Sequence, residues 1–382
     1  MSQSINQVLE FSPLKTDGMT INMGPQHPST HGVLRLIVTT DGEFIESVEP
    51  VVGYLHRCKE KIGENVTYAQ FMPYTDRLDY LAGMNNNWAW AMAVEKLAGI
   101  KVPERAEYIR VIMGELNRIA SHLVAIGTYG LDLGAWSPLV YAFNEREKIM
   151  DLFEKTCGAR LTYNYYRFGG VSKDLPDEFR EECGKLLAGF DSFLDEIDTL
   201  LSENYIFIKR TANVGVFSAK LALDYGLTGP NLRASGVPRD LRRVAPYSIY
   251  DRLQFDVIVG HGTKGILGDC WDRYDCRIKE MRQSARIVRQ CLKDLPEGEI
   301  KTKLPAVFRP PKGHVFFAAE NPKGELGFYI VSDGSTKPAR LHIRGPSFHS
   351  VSILPAVSHG VMIADLVAIL GSIDIVLGEV DR

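Results

Sequence analysis

The sequence predicts an α+β fold that is mainly α-helical, with a central helical bundle flanked by N-terminal and C-terminal antiparallel β-sheets. Three patterns support this prediction: strand-like segments before residue 57, apolar residues at helical spacing between residues 58 and 300, and renewed strand-like segments after residue 301. We therefore divide the chain into residues 1–57, which carry a β-hairpin, residues 58–300, which form the bundle, and residues 301–382. We expect the three parts to form one integrated domain.

The N-terminal sheet is predicted from the segments MTINM, VLRLIVTT and FIESVEPVV. The stretch GPQHPSTHG, residues 24–32, separates the first two, so we expect it to form the long tip of a β-hairpin. Its prolines and glycines exclude a helix, on which the four-residue spacing of His27 and His31 would indicate a metal site. We expect this framework to direct His31 into a cavity, while His27 holds the loop in shape or contacts the cavity secondarily.

Two long amphipathic helices are predicted in the bundle. The first lies between Glu104 and Gly134, and its apolar face carries Tyr108, Ile112, Leu116, Ile119, Leu123 and Ile126. The second has a seam with alternating spacings of three and four, made of Trp271, Tyr274, Ile278, Met281, Ala285, Val288 and Leu292. The C-terminal sheet is predicted from HVFFAAE, GELGFYIVSD and ARLHIRG.

The composition is that of a globular protein, with 45% hydrophobic and 24% charged residues and a net charge of -3. No run of basic residues alternates with aromatic ones, so nucleic acid is not an expected partner. The N-terminus lacks the features of a signal peptide, and Asp365 and Asp374 interrupt the apolar segment from Val361 to Leu377, which we expect to be buried. We expect a chain that stays in the cytoplasm, has no transmembrane helix and reaches a membrane only through partners.

The six cysteines form no Cys-x-x-Cys pair, so we expect scattered reduced thiols rather than ligands of a metal or cluster. The stretch GHGTKG, residues 260–265, matches Gly-x-Gly-x-x-Gly after the strand-like FDVIVG, which raises the alternative of a dinucleotide site. Such a site needs a βαβ unit with an acid at the end of its second strand. The acid at that spacing, Glu280, falls inside the second long helix, which favours an ordinary loop.

Several polar residues are ambiguous when taken singly. Tyr80 follows a turn at the start of a helix, where tyrosines usually pack, although a phenol can also donate a hydrogen bond to a carbonyl oxygen. Asp132 lies at the end of the first long helix, where the helix dipole disfavours a carboxylate and a histidine partner would favour it. Arg57, Arg77 and Arg167 have ordinary surface explanations.

The combination of motifs resembles one protein family along nearly the whole chain. The motifs follow one another from residue 22 to residue 382, and they are NMGPQHPSTHGVLRL, GYLHRCKEK, YTDRLDYL, RVIMGELNRIASHL, RASGVPRDLR, GDCWDRYDCRIKEMRQS and DIVLGEVDR. In this order they resemble the D subunit family of respiratory complex I, NADH:quinone oxidoreductase. That family is similar to the large subunit of nickel-iron hydrogenases, so the resemblance implies a hydrogenase-large-subunit-like fold.

The same resemblance distinguishes this chain from a working hydrogenase. Such an enzyme holds its metals with two Cys-x-x-Cys pairs, and this chain has neither. The resemblance implies that the former metal cavity serves as a quinone pocket at the interface with the B subunit of complex I, which carries the terminal iron-sulfur cluster, and that this chain binds no metal itself. The alternatives are a metal-containing hydrogenase large subunit and a soluble dinucleotide-binding enzyme.

The resemblance assigns roles to individual residues. His31 and Tyr80 are implied to be the two donors to the quinone headgroup, because two-electron reduction places charge on two carbonyl oxygens and each must gain a proton. Asp132 is implied to pair with His31, which orients the imidazole and favours its charged form. Loss of this pair on protonation is a candidate first step in the coupling to distant proton pumps. Asp374 and Val376 are implied to line the pocket.

The other matched positions are implied to lie toward the neighbouring cluster. Arg57 and Arg167 would lie on that side, where positive charge raises a cluster's potential, and Arg77 and His27 complete the set of candidate cofactor-contacting residues. Thr162 departs from the family, since many relatives carry a histidine there that couples protons to the terminal cluster. We therefore expect a cluster of lower and less pH-dependent potential, matched to a low-potential quinone such as menaquinone.

The resemblance also implies partners and a location. The partners are the B, C, I and H subunits of complex I and a quinone, either ubiquinone or menaquinone, and the membrane arm is contacted through these subunits. The chain is expected on the cytoplasmic side of the inner membrane, as a peripheral subunit of a translocase that is not active alone. The electron donor is left open among NADH, ferredoxin and reduced deazaflavin.

Overall fold

The computed structural model describes residues 18–382, in which helices predominate. The helices are α1 (Lys59–Asn65), α2 (Tyr68–Thr75), α3 (Gly83–Ala98), α4 (Glu104–Asp132), α5 (Ser137–Cys157), α6 (Phe179–Ile197), α7 (Tyr205–Thr211), α8 (Ala219–Asp224), α9 (Gly229–Arg233), α10 (Leu241–Val244), α11 (Cys270–Asp294), α12 (Pro346–Ser352), α13 (Leu354–Val357), α14 (Ile363–Ser372) and α15 (Leu377–Val380). The strands are β1 (Met19–Met23), β2 (Arg35–Asp41), β3 (Phe44–Val51), β4 (Tyr166–Arg167), β5 (Gly170–Val171), β6 (Gly313–Asn321), β7 (Gly324–Ser332) and β8 (Arg340–Arg344). The predicted α+β, mainly α fold is confirmed. The segment considered for a signal peptide lies outside the described residues.

Both predicted β regions form three-stranded antiparallel sheets. The N-terminal sheet has the order β1-β2-β3, and Met23 pairs with Leu36 where the connecting loop begins and ends. The stretch GPQHPSTHG is therefore the tip of a hairpin, as predicted. The C-terminal sheet has the order β6-β7-β8, and Asn321 pairs with Gly324 across a two-residue turn.

The two long predicted helices are α4 and α11, which pack against each other in the bundle. α4 follows Pro103 and carries Glu104 and Glu107 in its first turn, where negative charge suits the positive end of the helix dipole. α11 follows Asp269, whose carboxylate accepts a hydrogen bond from the backbone N–H of Asp272 at 2.9 Å. The predicted seam of α11 is at most 7% exposed at every position.

The strand that FDVIVG resembles, and that a dinucleotide site would need, does not form. Residues 254–260 have no regular secondary structure. The backbone N–H groups of Gln254 and Asp256 donate to the side chains of Gln290 and Gln283 of α11, at 2.8 and 3.0 Å. These two backbone N–H groups find their acceptors on a helix and need no partner strand.

The GHGTKG loop has the features of an ordinary loop. The backbone N–H groups of Gly262 and Gly268 donate to Oδ2 of Asp272 at 3.0 and 2.9 Å. A dinucleotide phosphate would need such donors, and here they are bonded to a carboxylate of the chain itself. Glu280 lies inside α11 and accepts hydrogen bonds from Arg233 and Arg242 at 3.1 and 2.7 Å.

The late apolar segment is part of the interior, as predicted. Leu370, Ile373 and Leu377 are each at most 1% exposed. The first residues of the segment are partly exposed, and there Asp365 pairs with Arg210 at 3.0 Å. Within residues 18–382, no helix combines the length and the apolar character needed to span a bilayer.

Candidate functional site

Four distant parts of the chain meet around a cavity of about 500 Å³. They are the β1–β2 loop, the turn between α2 and α3, the last turns of α4 and the segment between α14 and α15. Besides apolar side chains, the walls carry five of the predicted site residues, which are His31, Tyr80, Asp132, Asp374 and Val376. A larger groove of about 650 Å³ between α5 and α6 is lined largely by lysine and acidic side chains and carries none of them.

The β1–β2 loop holds His31 at the cavity. Residues Pro28–Thr30 form a short 3-10 helix that packs against α14. The hydroxyl of Thr30 is fully buried and lies 2.8 and 2.9 Å from the carbonyl oxygens of His27 and Gly32. His31 then takes a left-handed conformation, with φ 54° and ψ 33°. Because the Thr30 hydroxyl holds the loop through its own carbonyl groups, the backbone sets the direction of the His31 imidazole.

His31 and Asp132 form a short polar contact at the cavity, with 2.5 Å between Nε2 and Oδ2. Their side chains are only 15% and 8% exposed. Asp132 is the last residue of α4, where the helix dipole disfavours a carboxylate, and the contact with the imidazole of His31 gives this carboxylate a polar partner. Gly371 of α14 leaves room for the pair, because a Cβ there would lie 3.2 Å from Oδ2 of Asp132 and 2.7 Å from the ring of Tyr129.

Tyr80 is half-buried and enters the cavity from the turn between α2 and α3. Hydrogen bonds fix that turn: Asp79 accepts from the N–H of Leu81 at 3.1 Å, and the carbonyl of Leu81 accepts from Asn117 of α4 at 3.0 Å. Burial, together with the carboxylate of Asp79, raises the pKa of Tyr80, while the ammonium of Lys323 opposes the shift. The phenol is therefore protonated near neutral pH and can donate.

The segment between α14 and α15 supplies Asp374 and Val376, which are 5% and 2% exposed. Asp374 has a left-handed backbone with φ 51°. Its Oδ2 lies 3.5 Å from Nζ of Lys323 and 3.7 Å from Nε of Arg277, so two buried cations face this carboxylate. Sequence reasoning missed Lys323, because a lysine between two predicted strands gives no sign that its turn is buried.

The other predicted site residues do not line the cavity. His27 supports the loop, since its Nδ1 accepts a hydrogen bond from the N–H of Ser29 at 3.2 Å. Arg57 and Arg77 are exposed, and Arg167 is half-buried. The structure thus places five of the predicted site residues at the cavity and the three arginines outside it.

Asp76 lies near two of these arginines and was not predicted as a site residue. It is fully buried, and burial raises its pKa to about 6, although Arg77 opposes the shift. Burial lowers the pKa of Arg167, and the charge of Asp76 partly offsets this. Thr162 lies in the loop that precedes Arg167 and has a left-handed backbone with a φ of 53°.

Metal ligands are not grouped in the part of the chain that the structure describes. Among residues 18–382, no three His, Cys, Asp or Glu side chains are placed to hold a metal ion. All six cysteines are free thiols, of which four are buried and only Cys58 is exposed.

Comparison with known proteins places this chain in one family. The model of the family described as respiratory-chain NADH dehydrogenase, 49 Kd subunit, matches residues 132–310 and 303–382. The chain is 56% identical over 370 residues to the NADH-quinone oxidoreductase D subunit of Dehalococcoides mccartyi, covering 97% of this chain and 100% of that protein. It is 54% identical over 369 residues to the D subunit of Clostridium beijerinckii, covering 97% and 98%, and 51% identical over 384 residues to the D subunit of Chlorobium luteolum, covering 100% and 97%. The chain therefore belongs to the family of the 49-kDa subunit of respiratory-chain NADH dehydrogenase, the D subunit family of NADH-quinone oxidoreductase.

Proposed function

We propose that this chain forms, with the B subunit, the quinone-reduction pocket of a proton-pumping NADH:quinone oxidoreductase, next to the terminal iron-sulfur cluster that the B subunit carries. The observation that carries the proposal is the meeting of His31, Tyr80 and Asp132 around one cavity of about 500 Å³. This volume falls within the roughly 300–1,000 Å³ that is usual for small-molecule pockets. Apolar walls with a few polar groups suit a flat ring with two carbonyl oxygens.

The polar groups supply the protons that the reaction needs. The cluster of the B subunit would supply two electrons to the quinone, and each carbonyl oxygen gains one proton to become a hydroxyl. Tyr80 donates one proton through its phenol. His31 donates the other through Nδ1, because its Nε2 is engaged by Asp132.

Asp132 acts on the quinone through His31. While the imidazole is charged, the carboxylate holds it by a charge-assisted hydrogen bond and sets the ring direction. When the imidazole has given up its proton, Asp132 loses its charged partner. This change at the end of α4 is the proposed start of the conformational coupling to the proton pumps.

Two of the arginines outside the cavity are proposed to face the cluster. Arg57 and Arg167 would place positive charge near it and raise its potential, and Arg77 remains a candidate cofactor-contacting residue. Thr162 cannot take up a proton, so we propose that the potential is lower and less dependent on pH than in relatives with a histidine there. Menaquinone fits such a potential better than ubiquinone.

The proposed assembly follows the family. The chain would act as one integrated domain in a peripheral arm, on the cytoplasmic side of the inner membrane. It would contact the B, C, I and H subunits and reach the membrane arm only through them. We propose that it is inactive alone, because the electrons arrive through the B subunit.

The proposal is tested by His31→Ala and Tyr80→Phe in the assembled complex. Each variant should lower quinone reduction by about 10²-fold, the scale of a lost general acid. Subunit content and the iron-sulfur signals should be unchanged. His314→Ala and Tyr205→Phe are matched controls, because both side chains are exposed and lie outside the cavity. Wild-type turnover in both cavity variants would refute the proposal.

A further inference from the structure

A buried lysine lies directly behind the cavity. Lys323 occupies the two-residue turn between β6 and β7 and is 2% exposed. Turns between strands usually lie at the surface, and a lysine is almost never buried without a partner. The burial of this ammonium is therefore unusual both for a turn and for a lysine.

The turn is fixed from several sides. Asn321 donates to Asn86 of α3 at 2.8 Å. On the other side, Gly324 and Gly229 approach so closely that a Cβ on Gly229 would lie 2.4 Å from Cα of Gly324. The ammonium of Lys323 is thus carried on a rigid support, and its position does not depend on a flexible side chain alone.

Acidic groups from two elements hold the ammonium. Its Nζ lies 3.1 Å from Oδ2 of Asp79 and 3.5 Å from Oδ2 of Asp374, and it donates to Ser121 of α4 at 3.0 Å. Burial works against the charged form, but these two carboxylates and Glu379 outweigh it and raise the pKa of Lys323. The lysine is therefore a fixed positive charge.

Further charged groups surround Lys323, Asp79 and Asp374. Glu379 of α15 is fully buried, and burial and the charge of Asp79 raise its pKa to about 7. Arg277 of α11 faces Asp374. His122 of α4 is fully buried, and burial lowers its pKa while the charge of Asp374 opposes the shift. Lys323 is the cation that contacts both Asp79 and Asp374.

The charged group made of Lys323, Asp79 and Asp374 adjoins the cavity at two points. Asp374 lines the cavity itself, and Asp79 directly precedes Tyr80 in the chain. A phenolate at Tyr80 would lie near the carboxylate of Asp79, whose charge raises the pKa of Tyr80, because like charges at short range repel. The ammonium of Lys323 supplies the opposite charge.

We propose that Lys323 is a positioning residue for quinone reduction, whose ammonium, held by Asp79 and Asp374, compensates the negative charge that Tyr80 acquires when its proton leaves. This inference rests on the proposed function. In the step concerned, the O–H bond of Tyr80 breaks and an O–H bond forms on the quinone oxygen, while the neighbouring cluster supplies the electrons. The phenolate then regains a proton from water.

The test is a double-mutant cycle in the assembled complex, with a short-chain quinone as acceptor. Lys323→Met should lower kcat by at least about tenfold in the Tyr80 background, since it weakens a general acid, and change the quinone KM less than about threefold. In the Tyr80→Phe background the same change should cost less than about twofold, because the charge it compensates no longer forms. Lys323→Arg should retain most of the activity. Lys337→Met, on an exposed side chain of the next loop, is the matched control.

Each outcome separates this inference from the proposed function. Equal losses of kcat in both backgrounds, or an unchanged kcat in Lys323→Met, would overturn the role of Lys323 while leaving the quinone pocket in place. Wild-type turnover in the single variant Tyr80→Phe would also overturn the role of Lys323, and only together with wild-type turnover in His31→Ala would it refute the proposed function. If Lys323→Met does not assemble, the charge-balanced pair Asp374→Asn with Lys323→Met is tested in the same cycle. This pair leaves the carboxylate of Asp79 beside Tyr80 without its cation, so a loss confined to the Tyr80 background is again expected.

Discussion

Gly378 gives a direct way to move Tyr80 without touching any polar group of the cavity. Gly378 lies in α15, opposite the turn that carries Tyr80. A Cβ at this position would lie 2.5 Å from the carbonyl oxygen of Leu78, 2.7 Å from that of Arg77 and 3.5 Å from Cδ1 of Tyr80. Lys59 binds the same two segments together, donating to the carbonyls of Arg77 and Gly378 at 2.5 and 2.7 Å. Gly378→Ala must therefore push two backbone segments apart.

The size of the effect follows from these distances. Non-bonded carbon contacts settle near about 3.5 Å, so the turn must shift by roughly 0.5–1 Å. Overpacking of this kind costs about 1–3 kcal/mol of stability. A shift of about 1 Å in a reacting group can cost about 10²-fold in rate, so we expect quinone reduction to fall by about 10- to 100-fold.

The assay is quinone reduction by the assembled complex, normalised to the content of this subunit and to the iron-sulfur signals. Gly184→Ala in α6 is the matched control, because a Cβ there meets nothing within 4 Å. Normal assembly with wild-type turnover in Gly378→Ala would show that the position of Tyr80 does not limit the reaction. It would refute the geometric argument for this residue.

Three further predictions concern the cavity rim and its surroundings. Asp132→Asn keeps the shape of the carboxylate but removes its charge. Since charge-assisted hydrogen bonds are stronger than neutral ones by about 1 kcal/mol, turnover should fall by at least about fivefold. Unchanged turnover would contradict the role of the pair with His31. Thr162→His should add a pH slope to the potential of the terminal cluster in a redox titration between pH 6 and 8, and a steep slope already present in the wild type would contradict the proposal. Burial raises the pKa of Asp76 from 3.8 to about 6, so its contribution to stability is fully present below pH 3.8 and is lost as the pH rises through about 6. The loss is of the order of 3 kcal/mol and falls between the two pKa values, so Asp76→Asn should flatten the decline in thermal stability of the complex between pH 4 and 6.5, and a decline as steep as that of the wild type would count against it.

Local patterns predicted most of the fold correctly. Alternation in VLRLIVTT identified β2, and spacings of three and four identified the buried seam of α11, because these periods reflect which face of an element leaves water. FDVIVG shows where this logic fails. The backbone N–H groups of Gln254 and Asp256 bond to the side chains of Gln290 and Gln283 of α11 and not to a neighbouring strand, which no local pattern reveals.

The sequence by itself determined the order of the elements, the rigid loop around His31, the family and the identity of the residues that the family implies. Only the tertiary structure decided that His31 and Asp132, 101 residues apart, lie 2.5 Å from each other, and that Arg57, Arg77 and Arg167 stay outside the cavity. It also decided that Lys323, on a turn that would ordinarily be exposed, is buried between Asp79 and Asp374. The physical reason is that periodicity records local hydrogen bonding and the exposure of one face, whereas a contact between distant side chains depends on how whole elements pack, and the cost of burying a charge is known only when its neighbours are known.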